Sequence, residues 1–367
     1  MSGNKKCDFI DIPGKRISFS NILSSSFLGD NLNTYYQNTL SFIRDWLSGK
    51  EVFDLQTSGS TGVPKVITVS RAQLTYSALA SAKALNLLPG YSALVCLNTK
   101  YIAGIMMMVR SLVTGMKMRI IEPSSNPLET LSASDNFDFT AWVPLQMEKV
   151  LDCLPENEVL LNKFKCIIVG GAPVSASLQS KINNITVPVY LTYGMTETLS
   201  HIALQKLNGP DADDYFQALD EVELGIDSRG CLTVKSPVTL NETIVTNDLV
   251  ELLERNRFRF LGRLDNVINS GGVKILPEKI EALLDDTFLR LGLSRRFFIF
   301  GTPDERLGEQ VTLFIEGETL SEEEKSLTFS VLKANLSSYE IPKEIRFINS
   351  FIETATGKVN RKATAEI

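Results

Sequence analysis

The run Thr57-Ser58-Gly59-Ser60-Thr61-Gly62-Val63-Pro64-Lys65 limits this chain more than any other stretch, because it stands between two strand-like segments. Val52 to Leu55 before it and Val66 to Val69 after it are short, rich in β-branched and aromatic residues, and read as strands. Gly59 and Gly62 free the backbone to bring N–H groups close to a ligand, and Ser58, Ser60, Thr61 and Lys65 add hydroxyls and a positive charge. Successive N–H groups in such a loop form a nest for phosphate oxygens. A Walker A loop needs a strand before it, a helix after it, and Gly-Lys-Ser/Thr at its end. Here Pro64 separates Gly62 from Lys65, and Val66 opens a strand. The P-loop kinases and ATPases are therefore excluded, and a polar hairpin loop or a phosphate cradle of another kind remains.

The chain has 367 residues, more than one core usually serves, which predicts two domains. With 37 basic against 43 acidic residues and a net charge of −6, it has no block of basic residues suited to nucleic acid. The longest apolar stretch, Ile102 to Val109, stops at Arg110 and is too short to span a bilayer, so no membrane insertion is expected. The N-terminal stretch lacks the apolar core of a secretion signal. Five scattered cysteines with no Cys-x-x-Cys pair suit reduced thiols, and a cytoplasmic location is expected. A single histidine, His201, excludes a multi-histidine metal centre.

Residues 1 to about 50 read as a helical and loop preamble, with Tyr35, Leu40, Phe42, Ile43, Trp46 and Leu47 as its apolar face. Ser70 and Gln73 have capping-box spacing ahead of an Ala/Leu-rich helix that Pro89-Gly90 would end. Strand-like segments at 93–97, 119–121, 139–143, 165–169 and 187–191 alternate with helical patterns at 102–113, 144–154 and 175–183. That alternation predicts an α/β sheet, parallel at least in part. Beyond residue 220 the texture changes to short strands and turns, at 221–224, 231–235, 249–253 and 258–260. A second α/β texture follows, with a helix opened by Pro277 and strands at 296–300 and 311–315. The expected division is 1–264 and 265–367.

Five further segments accompany the loop in order: Val169-Gly170-Gly171-Ala172-Pro173; Leu191-Thr192-Tyr193-Gly194-Met195-Thr196-Glu197-Thr198; Val245-Thr246-Asn247-Asp248; Gly262 to Gly272; and Thr356-Gly357-Lys358. Together, from about Val52 to Arg361, they resemble the acyl-adenylate-forming superfamily of acyl-CoA synthetases, adenylation domains and luciferases. The resemblance implies a large N-terminal adenylating domain with mixed sheets flanked by helices, and a small, mobile α+β C-terminal domain. The implied substrates are a small carboxylic acid, ATP and coenzyme A, with Mg²⁺ as cofactor. The first step would give an acyl adenylate and pyrophosphate; the second, after the C-terminal domain rotates, would give a thioester.

Roles follow by matching motifs. The 57–65 loop would hold phosphates, through Thr57, Ser58, Gly59, Ser60, Thr61, Gly62 and Lys65. Gly171, Ala172 and Pro173 would lie along the adenine, and Tyr193 would stack on it. Thr196 would donate to the α-phosphate, and Glu197 supplies the hard carboxylate oxygen that Mg²⁺ takes. Asp248, preceded by Asn247 where the family has glycine, would accept from the ribose hydroxyls, beside Arg263. Asp265 falls at the family's hinge. Gly271 and Gly272 would pass the pantetheine arm of coenzyme A. Lys358 would bridge the substrate carboxylate and the α-phosphate, stabilising charge in the displacement.

Within the superfamily, the compact form, with Tyr-Gly-Met-Thr-Glu-Thr and Ser-Gly-Gly-Val-Lys-Ile, most resembles the branch that acts on o-succinylbenzoate. Its phosphate loop begins at residue 57, which suggests an N-terminal domain shortened at its start. The family's aromatic-His-x-x-Gly segment falls on Lys100-Tyr101-Ile102-Ala103-Gly104, placing Lys100, Tyr101 and Gly104 beside the acyl pocket. Lys100 is either a partner for a second carboxylate or a solvent-facing lysine. Gly194 falls by the same pocket; His201 either lines it or is a satisfied half-buried histidine. The alternatives are a ligase for another aryl or short acyl acid, delivering to coenzyme A or a carrier protein, and, in another class, a non-catalytic nucleotide binder.

Overall fold

The computed structural model describes residues 7–24, 32–56, 66–353 and 359–367. Between Phe9 and Arg263 the described strands join one thirteen-stranded sheet, except the pair Val52–Gln56 and Val66–Ser70. Six of its strands run parallel in the order Val189–Gly194, Cys166–Val169, Phe139–Trp142, Ser92–Val95, Lys117–Ile120 and Phe9–Ile12. Their central members are apolar on both faces (all four residues of Phe139–Trp142 and of Cys166–Val169 are buried), as expected of parallel strands covered by helices. On the other side of Val189–Gly194 the sheet turns antiparallel, beginning with His201–Lys206 and continuing through Phe216–Ala218, Arg257–Arg263 and Ile244–Leu253. The change of sheet texture expected past residue 220 is this switch of strand direction, and it begins earlier, at His201.

Local chemistry sets the element boundaries. The capping box of Ser70 and Gln73 forms and opens the helix Arg71–Ala84, which ends before the Pro89-Gly90 turn. The apolar helix Ile102–Thr114 continues past Arg110 and ends at Gly115 in the left-handed conformation. The N-terminal stretch differs from its reading as helix and loop. Phe9–Ile12 and Lys15–Ser18 form a hairpin on the edge of the large sheet, with Ile10, Ile12 and Ile17 buried. The helix Thr34–Leu47 that follows buries Tyr36, Leu40, Ile43 and Trp46. Val52–Gln56 and Val66–Ser70 pair antiparallel from Val52 opposite Ser70 to Gln56 opposite Val66. The strand–loop–strand reading therefore holds, while the loop itself, 57–65, lies outside the described residues.

From Ile268 onward the strands join a second, five-stranded sheet containing Ile268–Ser270, Val273–Ile275, Phe297–Asp304, Gly308–Glu316 and Glu344–Ile348. The helix Pro277–Arg290 lays Ile280, Leu284 and Phe288 against Ile299, Leu313 and Ile315 of this sheet, forming a separate apolar core. The architecture is thus the expected α/β fold with a large mixed sheet and a smaller α+β portion. Among the described residues no helix is long and apolar enough to cross a membrane.

Candidate active site

A cavity of about 710 Å³ lies at the carboxyl ends of the parallel strands, where the sheet changes to antiparallel. Open α/β sheets bind ligands at this place, because successive strand ends diverge there and leave a crevice. Its lining comes from the ends of those strands and the residues that follow them: Leu97, Trp142 and Val143, Gly170 to Ala172, and Thr192 to Glu197. The antiparallel side adds Ile244 to Asp248 and Arg263. The helix Ile102–Thr114 supplies Arg110.

One wall is a hydrogen-bonded ionic network. Asp248 is buried (8% exposed) and accepts from the Tyr193 hydroxyl at 2.5 Å and from Arg263 Nη1 at 2.9 Å. Arg263 uses its other Nη2 on Asp265 at 2.7 Å, and Asn247 donates to the same carboxylate at 2.8 Å. The Asn247 carbonyl accepts in turn from Arg229 at 3.1 Å. Asn247, which replaces a glycine of the resembled motif, therefore ties Asp265 to the strand that carries Asp248. Burial and then the adjacent Asp248 carboxylate push the Tyr193 hydroxyl pKa up, so it stays a donor. The Tyr193 ring is held edge-on against Phe258, with centroids 4.9 Å apart.

A buried pocket of different character lies around Arg110. Its guanidinium is 2% exposed, donates to Ser200 Oγ at 2.7 Å and faces His201 Nδ1 at 3.4 Å. No carboxylate pairs with it among the described residues, and its Nε has no hydrogen-bond partner there. Burial pulls its pKa down to about 10, which still leaves it cationic at neutral pH. His201 is buried, with Nε2 2.9 Å from Ser81 Oγ, and burial, reinforced by Arg110, holds its pKa well below 6.5. Arg110 was not among the residues singled out in the sequence. Its signal was present: a charged residue inside an otherwise apolar helix must find a partner or face a polar cavity.

Nine of the expected site residues that the structure describes converge here. Gly171, Ala172, Tyr193, Gly194, Thr196, Glu197, Asp248, Arg263 and His201 all line the cavity. Gly194 has a steric reason to be glycine, since a Cβ there would overlap the Ser200 carbonyl. Pro173 does not line it. Lys100, Tyr101 and Gly104, expected beside the acyl pocket, are not among the residues that line this cavity. Lys100 is exposed just ahead of the helix Ile102–Thr114, whereas Gly104 is buried against the Asn98 carbonyl, so the same turn shows the cavity Ile102 and Ala103 instead. Gly271 and Gly272 form the exposed turn between Ile268–Ser270 and Val273–Ile275, with φ of 60° and 83° as a tight hairpin requires. Asp265 sits on the short turn Leu264–Asn266 between the two sheets. Lys358 and the loop residues Thr57 to Lys65 lie outside the described residues.

Among the described residues no three His, Cys, Asp or Glu side chains gather to hold a metal. Glu197 is an exposed carboxylate at the cavity rim. It suits a cation that takes one or two protein carboxylates and completes its shell with phosphate oxygens and water, as Mg²⁺ does.

Comparison with known proteins agrees with this geometry. Residues 53–221 match the AMP-binding enzyme family. The chain is 42% identical to an acyl-CoA synthetase (AMP-forming)/AMP-acid ligase II-like protein from Dyadobacter fermentans, with 91% of this chain and 94% of that one covered and a TM-score of 0.63. A 2-succinylbenzoate–CoA ligase of Listeria monocytogenes is 25% identical over 98% of this chain and 77% of its own. The fold is shared with the o-succinylbenzoate coenzyme A synthetase of Bacillus subtilis solved with ATP and magnesium, at 22% identity, a TM-score of 0.67, and coverage of 85% and 69%. The fold is that of the AMP-forming ligases, and the chain is an acyl-adenylate-forming acid–thiol ligase. The chain belongs to the AMP-binding enzymes.

Proposed function

We propose that this enzyme uses ATP to activate an acid that carries a second carboxylate, o-succinylbenzoate above all, and transfers the acyl group to coenzyme A. The observation that carries the choice of acid is Arg110, a cation 2% exposed beside the cavity with no carboxylate partner among the described residues. Burying an unpaired charge costs several kcal/mol, on the order of the penalty for any uncompensated ion. A ligand that brings a carboxylate to Arg110 removes that penalty, and an uncharged ring does not. The name of the Listeria relative supports the same acid.

In the first step an oxygen of the succinyl carboxylate attacks the α-phosphorus, the bond to the β-phosphate breaks, and pyrophosphate leaves. In the second, the thiolate of coenzyme A attacks the acyl carbon and AMP departs. Asp248 would accept both ribose hydroxyls while Arg263 and Tyr193 hold its carboxylate in place. The Tyr193 ring, braced by Phe258, would stack on adenine next to Gly171 and Ala172. Thr196 would donate to the α-phosphate. Glu197 would hold Mg²⁺, which neutralises phosphate charge when bound. The loop from Thr57 to Lys65 would cradle the phosphates and Lys358 would meet the reacting oxygens. We further assign 1–264 and 265–367 as two domains, with Asp265 as the hinge and Gly271-Gly272 as the face presented to coenzyme A after rotation.

Pyrophosphate release measured with a panel of acids, with and without coenzyme A, tests this reading. The expected result is fastest release with o-succinylbenzoate and a coenzyme A thioester as the product. Equal rates with benzoate and short fatty acids would remove the assigned acid. Adenylate without thioester would point instead to a carrier-protein acceptor.

A further inference from the structure

Behind Arg110 lies a chain of polar groups that nothing in the adenylation chemistry requires. Ser81, on the helix Arg71–Ala84 and fully buried, donates its single hydroxyl proton to the Ser77 carbonyl at 2.9 Å. Its oxygen is therefore left as an acceptor for His201 Nε2, also at 2.9 Å. A neutral imidazole carries one N–H, so placing it on Nε2 leaves Nδ1 with a lone pair. That lone pair faces Arg110 Nη2 at 3.4 Å and Ser200 Oγ at 3.5 Å. The opposite tautomer would set an N–H against the guanidinium N–H groups, leaving Nε2 facing an oxygen whose proton is already committed.

We propose that His201 is a positioning residue: Ser81 fixes it as the Nε2–H tautomer, and its Nδ1 holds the Arg110 guanidinium in the orientation that receives the second carboxylate of the acid. A neutral acceptor suits this task better than an Asp or Glu. A carboxylate at this place would neutralise Arg110 within the protein and repel the substrate anion, whereas an imidazole orients the guanidinium and leaves its charge to the ligand. Ser200 shares the same Nη2, so two neutral acceptors, His201 and Ser200, set the direction of the guanidinium plane. This assignment rests on the reading that Arg110 meets an anionic group of the substrate.

The test compares the KM for o-succinylbenzoate with the KM for the analogue that lacks the ring carboxylate, in the full-length parent and in His201→Leu, His201→Gln and Ser81→Ala. Glutamine can donate to Ser81 and accept from Arg110 at once, so it is the conservative replacement. We expect His201→Leu to shift the KM ratio against the dicarboxylic acid by about tenfold, the loss of one hydrogen bond to a charged group. Glutamine should restore most of the parent ratio, and Ser81→Ala should move it in the leucine direction by less. A parent preference that survives in His201→Leu, or a glutamine variant no better than leucine, would overturn the positioning role alone. A parent with no preference for the dicarboxylic acid would remove the Arg110 reading, and this assignment with it. Circular dichroism and melting of each variant separate these outcomes from loss of the fold.

Discussion

Two arginines line the cavity, and their surroundings are opposite. Arg263 is half-exposed, with 47% of its side chain accessible, and spans two carboxylates, Asp248 and Asp265. Arg110 is 2% exposed and has only neutral neighbours, Ser200, His201 and the Met107 sulfur. At Arg263 the protein has completed its own ion pairs, so a ligand there meets a preformed acceptor in Asp248. At Arg110 the pair is left half-made. A finished ion pair orients a ligand's hydroxyls, whereas an unfinished one selects a ligand that carries the missing charge.

Substitutions can break this comparison at several points. Lys358→Ala should have the largest effect, lowering adenylate formation by about 10²–10³-fold or more through lost transition-state charge stabilisation. Thioester formation from supplied acyl adenylate should survive, and so should binding at both arginines; an equal loss in the two half-reactions would contradict the role of Lys358. Asp248→Ala removes the acceptor of the completed pair and leaves Tyr193 and Arg263 without it. ATP affinity measured by calorimetry should fall by about 1.5–3 kcal/mol. Unchanged ATP titration would mean that ribose is bound elsewhere.

Arg110→Leu should act in the other direction on stability. Removing an unpaired buried cation should raise the melting temperature of the ligand-free enzyme, by a free energy on the order of 1–4 kcal/mol. A lower melting temperature would show that the guanidinium is compensated in the apo protein. His201 should leave a smaller, pH-dependent mark. Its folded pKa lies well below 6.5, so below pH 6.5 the unfolded chain takes up a proton that the native state refuses. Stability is then lost as pH falls through that value, by up to about 1.4 kcal/mol per unit relative to His201→Gln. Because His201 is the only histidine, parallel pH–stability curves for parent and variant would rule out a buried neutral imidazole. Lys100→Met should have the smallest effect. The side chain is exposed and outside the cavity, so the KM for any acid should stay unchanged.

The contrast between Lys100 and Arg110 also shows what was readable in the sequence. Periodicity and caps located most strands and helices, because a buried parallel strand such as Cys166–Val169 and a capped helix such as Arg71–Ala84 advertise themselves locally. The short hairpin Phe9–Ile12 and Lys15–Ser18 was missed, since its place on the sheet edge depends on pairing with Lys117–Ile120, far along the chain. The same limit governed the site. Tyr193 and Asp248 were found through their motifs, but the hydrogen bond that joins them spans 55 residues of sequence. Lys100 was drawn in by its nearness to a motif. Arg110, which lines the cavity, reads in the sequence only as the residue that ends an apolar run. Its environment is made by Ser200 and His201, some 90 residues away, and no local pattern reports that contact.

The central claim, that an unfinished ion pair selects the acid, is tested most directly by one ratio. It is kcat/KM for pyrophosphate release with o-succinylbenzoate divided by that with the analogue lacking the ring carboxylate, in the parent and in Arg110→Leu. Truncating one member of a buried charge pair typically costs about 2–5 kcal/mol, so the ratio should be high in the parent and fall by about 30-fold or more in the variant. The decline should come from the dicarboxylic acid. A ratio that is the same in both proteins would contradict the account.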